Sequence, residues 1–419
     1  MPKKPEYRIM IGVSTQQNST NLVPFLQSEC DTLLLLETTK AENDKWAKGF
    51  KDVLQSKGKT FKTLFIGEGL ELAEILEELQ KEIKNIEDEN GEKSIVWNIG
   101  GGQKMQTIAL MTTFEQRRKN GCKDQLCYTE PQARKTVEVS YNNLGIQSDL
   151  KRTTVPELTL KDILKTFRYK IIAQQVFWKR IGEDSGKLYQ NNLLTDAQFN
   201  HFMDYDNRQD MMEYTYQRDQ AYKKDISMPL NPSFFGSFYD PDKDKTNGML
   251  GYYFERVMQT EVTRLVAKDP ASHRINQVWS VEIEATDNTD TKQEFDILLV
   301  TDFGTLIALD AKTFSFGKKD EDARTLNLYK ASGFYTDFCS VFPFFKKDLN
   351  NKDSMLNSNN EWQKLKNRPF EIEKRGGKMF AFCEETAGDL VLPRKVNKKK
   401  ENLTLTKLSD MLDKLKLKV

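Results

Sequence analysis

Histidine is nearly missing: the chain of 419 residues holds two, His201 and His273. Imidazole is the commonest general acid or base near neutral pH, so its scarcity shifts any hydrolytic chemistry towards carboxylates and a metal ion. Cysteine is sparse as well. Cys30, Cys122, Cys127, Cys339 and Cys383 are odd in number, scattered and without a CxxC pair, which argues against a zinc site and a disulfide framework. No run of roughly 18 apolar residues occurs. The opening "MPKKPEYRIMIGV" has basic residues but no apolar stretch of signal-peptide length, so the expectation is a cytoplasmic protein with no membrane segment. Net charge is absent too: 63 Lys and Arg face 62 Asp and Glu, so attraction to nucleic acid must come from a local patch.

What is present is ample for folding. A hydrophobic fraction of 38% against 30% charged residues describes a globular chain with a well-solvated surface. At roughly 100–200 residues per domain the length implies two or three domains. In the first, residues 1–150, five short apolar runs ("YRIMIGV", "TLLLLE", "TLFIG", "SIVWNIG", "QLCYT") alternate with helix-period stretches, the pattern of a doubly wound α/β fold. Leu72, Ile75, Leu76, Leu79, Ile83 and Ile86 share one helix face, and Gly121 stands where a helix would end. Residues 151–245 read as a helical connector that gives way to a Pro- and Gly-rich linker. A second α/β region spans 246–393. Residues 394–419 read as a basic tail with a short amphipathic helix carrying Leu405, Leu408, Leu412 and Leu415.

The stretch "EFDILLVTDFGTLIALDAK" (294–312) sets carboxylates into two apolar runs. Taking Asp302, Phe303 and Gly304 as a three-residue hairpin loop pairs Thr301 with Thr305. That register puts Asp296 opposite Asp310 and Glu294 opposite Lys312, all on one face, with Phe295, Ile297, Leu299, Leu309 and Ala311 on the other. Opposed strand residues have Cβ atoms about 5 Å apart, and like charges there repel unless a counter-ion joins them. Magnesium or manganese takes carboxylate oxygens at about 2.1 Å, and Lys312 brings a positive charge to the same face. The set suits metal-assisted phosphodiester cleavage. The competing reading is a solvated polar face on an open hairpin.

In the first domain "NIGGGQKMQTIALM" follows a strand and enters a helix. Gly100, Gly101 and Gly102 let backbone approach a ligand, helix N-terminal amides favour anions, and Lys104 adds a cation. The loop lacks GxxxxGK[ST] and GxGxxG, so it is neither a P-loop nor a dinucleotide fingerprint; a simple chain turn is the alternative. A second loop after the first strand offers Ser14, Thr15, Gln16, Gln17 and Asn18, with Thr38 and Thr39 ending the next strand, all at the sheet edge where open α/β folds bind ligands.

These stretches resemble two known families. "GGGQKM" and "TQQNSTNLVPF" resemble the glycine-rich, lysine-containing motif and first ligand loop of CARF domains, the Rossmann-like sensors of cyclic oligoadenylates in type III CRISPR defence. Glu255 in "GYYFERV", Asp296, and Asp310 with Lys312 in "DAK" resemble the helical glutamate, hairpin aspartate and D/E-x-K of PD-(D/E)xK restriction-endonuclease-like nucleases. Together they cover roughly residues 7–143 and 249–390. The resemblance implies a homodimer that cradles one cyclic oligoadenylate, cyclic tetra-adenylate first among them, through Thr15, Gln16, Gln17, Thr38, Gly101, Gly102, Gln103 and Lys104. It further implies DNA or RNA cleavage by Glu255, Asp296, Asp310 and Lys312 with Mg2+ or Mn2+ held by Glu255, Asp296 and Asp310. Glu282 and Glu284 are reserve ligands and Lys330 a phosphate contact; each also fits an ordinary surface role, as does Glu255 paired with Arg256 or with a helix neighbour. One rival is a CARF-type ligand-responsive regulator without catalysis, binding DNA through the aromatic and basic "TFRYKIIAQQVFWKR" and the basic tail. Another keeps the nuclease but makes it a restriction enzyme for modified DNA.

Overall fold

The computed structural model describes residues 9–28, 30–90, 94–130, 135–142, 145–152, 158–181, 185–229, 231–245, 248–312, 325–326, 328, 330–331, 333, 336–374, 377–382, 390–396 and 399–417. Cys383 lies outside them. All five apolar runs of the first domain are strands: β1 (Ile9–Val13), β2 (Thr32–Glu37), β3 (Thr60–Phe65), β4 (Ile95–Asn98) and β5 (Gln125–Glu130). They pair in parallel in the order β3-β2-β1-β4-β5, and β6 (Lys135–Asn142) and β7 (Gly145–Arg152) extend the edge antiparallel. Strands β1, β2 and β4 are buried throughout, as their unbroken apolar sequences require when helices cover both faces. Helix Leu72–Asn90 buries Ile75, Leu79, Ile83 and Ile86 against one sheet face, beside helix Lys104–Lys119. That second helix stops at Gly121, whose φ of 91° is the left-handed C-terminal cap expected from sequence.

The second sheet runs β15-β16-β14-β13-β12-β11-β10-β8-β9. Its strands are β8 (Tyr169–Ile181), β9 (Ser185–Leu188), β10 (Ile275–Ala285), β11 (Asn288–Thr301), β12 (Leu306–Ala311), β13 (Asp337–Phe342), β14 (Lys378–Ala381), β15 (Leu390–Val396) and β16 (Lys399–Lys407). Two expectations change here. The segment "TFRYKIIAQQVFWKR", expected as helical connector, is mostly strand β8, paired along β10. Its aromatics Phe177 and Trp178 are buried, and Arg180 donates to the carbonyls of Pro270, His273 and Ile275, so these side chains are spent on the interior. Helices Asp196–Met203 and Tyr205–Lys223 supply the helical part of that region. The C-terminal residues are likewise no loose tail: β15 and β16 form a hairpin on the sheet, and Leu405, Leu408, Leu412 and Leu415 all enter the core. Their apolar spacing was legible, but Leu405 sits in a strand and not in a helix.

The two sheets share an apolar layer. Met10, Leu33 and Leu35 of the first sheet, Phe25, Phe50 and Leu164 of the intervening helices, and Leu298, Val300, Leu306 and Ala308 of the second sheet form one continuous cluster. A fully buried aliphatic or aromatic side chain contributes roughly 1.5–3 kcal/mol. A layer of this size holds the units together far more firmly than a polar, transient interdomain contact would. On its other face the second sheet packs helix Met249–Lys268, through Tyr253, Val257 and Val266, against Ile297, Leu299, Ile307 and Leu309.

Candidate active site and ligand loops

The hairpin forms as its sequence requires. Gly304 has a φ of 80°, the left-handed value that a three-residue loop needs, and Thr301 and Thr305 close it by backbone and hydroxyl hydrogen bonds. Ile297 pairs with Leu309, Leu298 with Ala308, Leu299 with Ile307 and Val300 with Leu306, the register expected from sequence. One step further along the ladder, Asp296 accepts a hydrogen bond at 2.7 Å from the backbone amide of Ala311, the residue after Asp310. Asp310 is itself ion-paired with Lys312.

The faces differ from the expectation in two ways. Between Trp279↔Leu298 and Val281↔Phe295 the β10–β11 ladder slips by one residue, a β-bulge at Asp296 and Ile297. The extra residue turns Phe295 to the side of Leu298 and Val300, away from Ile297 and Leu299. On its β10 side Glu294 lies opposite Glu282, while the β11–β12 ladder ends at Ile297↔Leu309, short of Glu294 and Lys312. At Asp310 and Lys312 this side is also no open, water-facing surface, because Leu298, Val300, Leu306 and Ala308 fill the layer shared with the first domain; Asp296 is half-buried and Glu294 exposed. Asp310 is 3% exposed and Lys312 1%. Burial to this degree removes the solvated-face reading for Asp310, though not for the half-buried Asp296: such deeply buried charges persist only when paired. Lys312 is also held by its backbone amide, which donates to the Val341 carbonyl at 2.8 Å.

Glu255 comes from helix Met249–Lys268 and is half-buried. Its hydrogen-bond partner is a helix neighbour, one of the alternatives read from sequence, and not Arg256. Gln259, one helical turn on, donates to Glu255 Oε1 at 2.8 Å and to the Asp296 carbonyl at 2.9 Å. Burial above all, then the charge of Glu294, pushes the Glu255 carboxyl up to about 7, against the pull of Arg256 and the Gln259 hydrogen bond. Glu255, Asp296 and Asp310 are all carboxylates, the right kind of donor for magnesium or manganese. Among the described residues no three His, Cys, Asp or Glu side chains are gathered as a closed ligand set. Asp296 meets the backbone amide that follows Asp310, and Glu255, from the helix packed on the sheet's other face, is linked to the Asp296 carbonyl through Gln259. Of the reserve residues, Glu284 is buried beside Lys170, and Lys330 is exposed.

At the C-terminal edge of the first sheet the loops interlock. Asn98, at the end of β4, donates to Asn21 Oδ1 and the Thr20 carbonyl, both at 2.9 Å, and accepts from the Gly100 amide at 3.0 Å. Asn21 donates in turn to the Val13 carbonyl and to Asn18, and Asn18 to the Trp46 carbonyl. Asn18, expected as a ligand-loop side chain, is a buried brace instead, and sequence reading misses Asn21 and Asn98, whose signal is a lone amide, Asn98, closing an otherwise apolar strand. Thr15 shapes its own loop, accepting from the Gln17 amide and donating its backbone N–H to Asn18. Thr38 caps the following short helix by accepting from the Ala41 amide, so its hydroxyl has a structural partner. Gly102 has a φ of 92°, and a Cβ there would lie 2.8 Å from Val13 Cβ, so only glycine fits. A Cβ on Gly101 would come within 3.2 Å of Thr15, which puts the two loops side by side. Gln16, Gly102, Gln103 and Lys104 are exposed, with Lys104 opening a helix at whose start Gln106 Oε1 accepts from the Gln103 amide at 2.8 Å.

Residues 10–162 match the family model of the Card1 CARF domain. The N-terminal unit is a CARF domain. No curated protein sequence matches the chain. Among solved structures it is similar to Can2 from Sulfobacillus thermosulfidooxidans in complex with cyclic tetra-adenylate, with 13% identity, 81% of this chain and 92% of that chain covered, and a TM-score of 0.55. It is also similar to protein VC1899 from Vibrio cholerae, with 11% identity, 89% and 94% covered, and a TM-score of 0.57. At such identities the likeness is one of fold, and it extends through both units: a CARF domain followed by a mixed α/β domain. No helix among the described residues is long and apolar enough to cross a membrane.

Proposed function

We propose that this chain is a metal-dependent nuclease of type III CRISPR defence, switched by a cyclic oligoadenylate bound to its CARF domain. The observation that carries the reading is the paired hairpin: Asp296 and Asp310 on neighbouring strands, with Lys312 buried against Asp310. A β-bulge beside the acids, and a mixed sheet backed by the glutamate-bearing helix, support a restriction-endonuclease-like assignment for the second domain.

Asp296 and Asp310 would hold Mg2+ or Mn2+, with Glu255 serving from the helix side. A bound ion would supply an acidified water and neutralise charge on the scissile phosphate. Lys312 keeps its ammonium beside Asp310, where it offsets negative charge that builds on the phosphate as the bond breaks. Burial strengthens that effect: two unit charges 4 Å apart interact by about 1 kcal/mol in water and about 4 kcal/mol at an effective dielectric of 20.

For the activator, the amides opening helix Lys104–Lys119 and the Lys104 ammonium attract phosphate, while Thr15, Gln16, Gln17, Gly101, Gly102 and Gln103 line the adjoining loops. Leu70, Ile108, Met111 and Tyr128 are exposed apolar residues around this loop cluster, which favours a second copy of the chain seated there and a cyclic ligand on the two-fold axis. The complex named for Can2 makes cyclic tetra-adenylate the first ring to test. The apolar layer shared by the two sheets gives a physical route from ligand loops to hairpin.

The test is a screen of labelled single- and double-stranded DNA and RNA with magnesium or manganese and a series of cyclic oligoadenylates. Cleavage that EDTA abolishes supports the reading. No cleavage with any combination, accompanied by ligand-dependent DNA binding, would leave the regulator in its place.

A further inference from the structure

We infer that Gln259, oriented by Arg256, is the positioning residue that ties Glu255 to the strand carrying Asp296. The inference rests on the nuclease reading and adds a residue to it. A guanidinium can only donate hydrogen bonds and a backbone carbonyl can only accept them. Arg256 Nη1 donates to Gln259 Oε1 at 2.8 Å, which fixes the direction of the amide. Its Nε2 therefore faces the other way, where both acceptors stand: Glu255 Oε1 and the Asp296 carbonyl. Arg256 is anchored in turn by Gln175 Oε1 at 2.8 Å and the Asn192 carbonyl at 2.7 Å.

Gln259 is 1% exposed, so water cannot take over either bond. Glu255 and Gln259 are four residues apart on one helix and share a face. Asp296 lies in the β-bulge, where ladder pairing with β10 slips and a carbonyl is left for another donor. One amide thus holds a helix carboxylate and a strand aspartate at a set separation, the role that outer residues play in metal centres generally.

Manganese binding by the full-length protein, followed by calorimetry and by the electron paramagnetic resonance of free Mn2+, tests this. Cyclic tetra-adenylate affinity and thermal melting are followed alongside. Gln259→Met keeps the volume and drops the hydrogen bonds. It should raise the manganese Kd on the order of tenfold with cyclic tetra-adenylate affinity unchanged. Arg256→Met should act in the same direction, and the double variant should bind manganese no more weakly than Gln259→Met alone, because Arg256 works through the amide. Should Gln259→Met fail to fold, Arg256→Lys decides by itself: it keeps the positive charge that draws on Glu255 and gives up the guanidinium fork that orients the amide. If Glu255→Ala weakens manganese binding while Gln259→Met and Arg256→Met do not, the positioning role is wrong and the nuclease reading stands. If Glu255→Ala and Asp296→Asn also leave manganese binding unchanged, the metal site itself is wrong and the inference goes with it.

Discussion

The two candidate sites are built in opposite ways. The CARF domain gathers its residues on loops at a sheet edge, with Gln16, Gly102, Gln103 and Lys104 exposed and the loops braced from below by Asn18, Asn21 and Asn98. The second domain places its residues on strands and a helix, with Asp310 and Lys312 buried between sheets. An exposed loop cluster can adapt to and release a ligand, whereas charges on regular elements in a low-dielectric interior are already in place before substrate arrives. On the proposed function, sensing and cutting would make different demands, and damage to one site should leave the other measurable.

The largest expected effect separates them cleanly. Asp310→Asn keeps the shape and removes the charge; it should lower the cleavage rate on the order of a thousandfold. Cyclic tetra-adenylate affinity, read by calorimetry, should not move. Next comes the brace of the ligand loop: Gly102→Val forces a side chain against Val13 at a φ of 92°. A loss of about 2–3 kcal/mol in urea unfolding is expected, together with weakened ligand binding; a fully stable variant would show that the loop tolerates a Cβ.

Glu255 offers a pH test on metal-free protein. Its carboxyl is raised from 4.5 to about 7 by burial and by Glu294, so folding favours the protonated form. That stabilisation is complete below the unfolded value near 4.5 and is lost as pH rises through about 7. Glu255→Gln should therefore gain about 1–2 kcal/mol on wild type between pH 5 and pH 8, seen in paired denaturation curves, and saturating manganese should shrink the difference. The smallest effect falls on the exposed site: Lys104→Ala should weaken cyclic tetra-adenylate about tenfold, near 1.4 kcal/mol, and leave manganese affinity alone.

Much of this was legible in the chain. Five apolar runs gave the five parallel strands, and the TDFGT loop set the β11–β12 register because the side-chain period of two leaves a single pairing that buries Ile297 and Leu309 together. Other features depended on partners far away in sequence. The bulge that moves Phe295 is set by β10, and the burial of Asp310 by the first domain's helices. β8 was taken for helix because its aromatic and basic residues alternate irregularly, its inner side packing Phe177 and Trp178 while Arg180 reaches three carbonyls of a distant turn. Gln259 carried no signal in sequence, since an amide in a helix acquires meaning only from what faces it.

The central claim is that a signal at the exposed loops governs chemistry at the buried hairpin. It is tested most directly by the single-turnover cleavage rate of labelled nucleic acid with manganese, measured with and without cyclic tetra-adenylate. The account predicts a rate at least about tenfold faster with the activator, corresponding to about 1.4 kcal/mol of differential affinity for the cutting state, and a rate on the order of a thousandfold lower in Asp310→Asn. Equal rates with and without it, in protein shown to bind the ligand, would contradict the coupling.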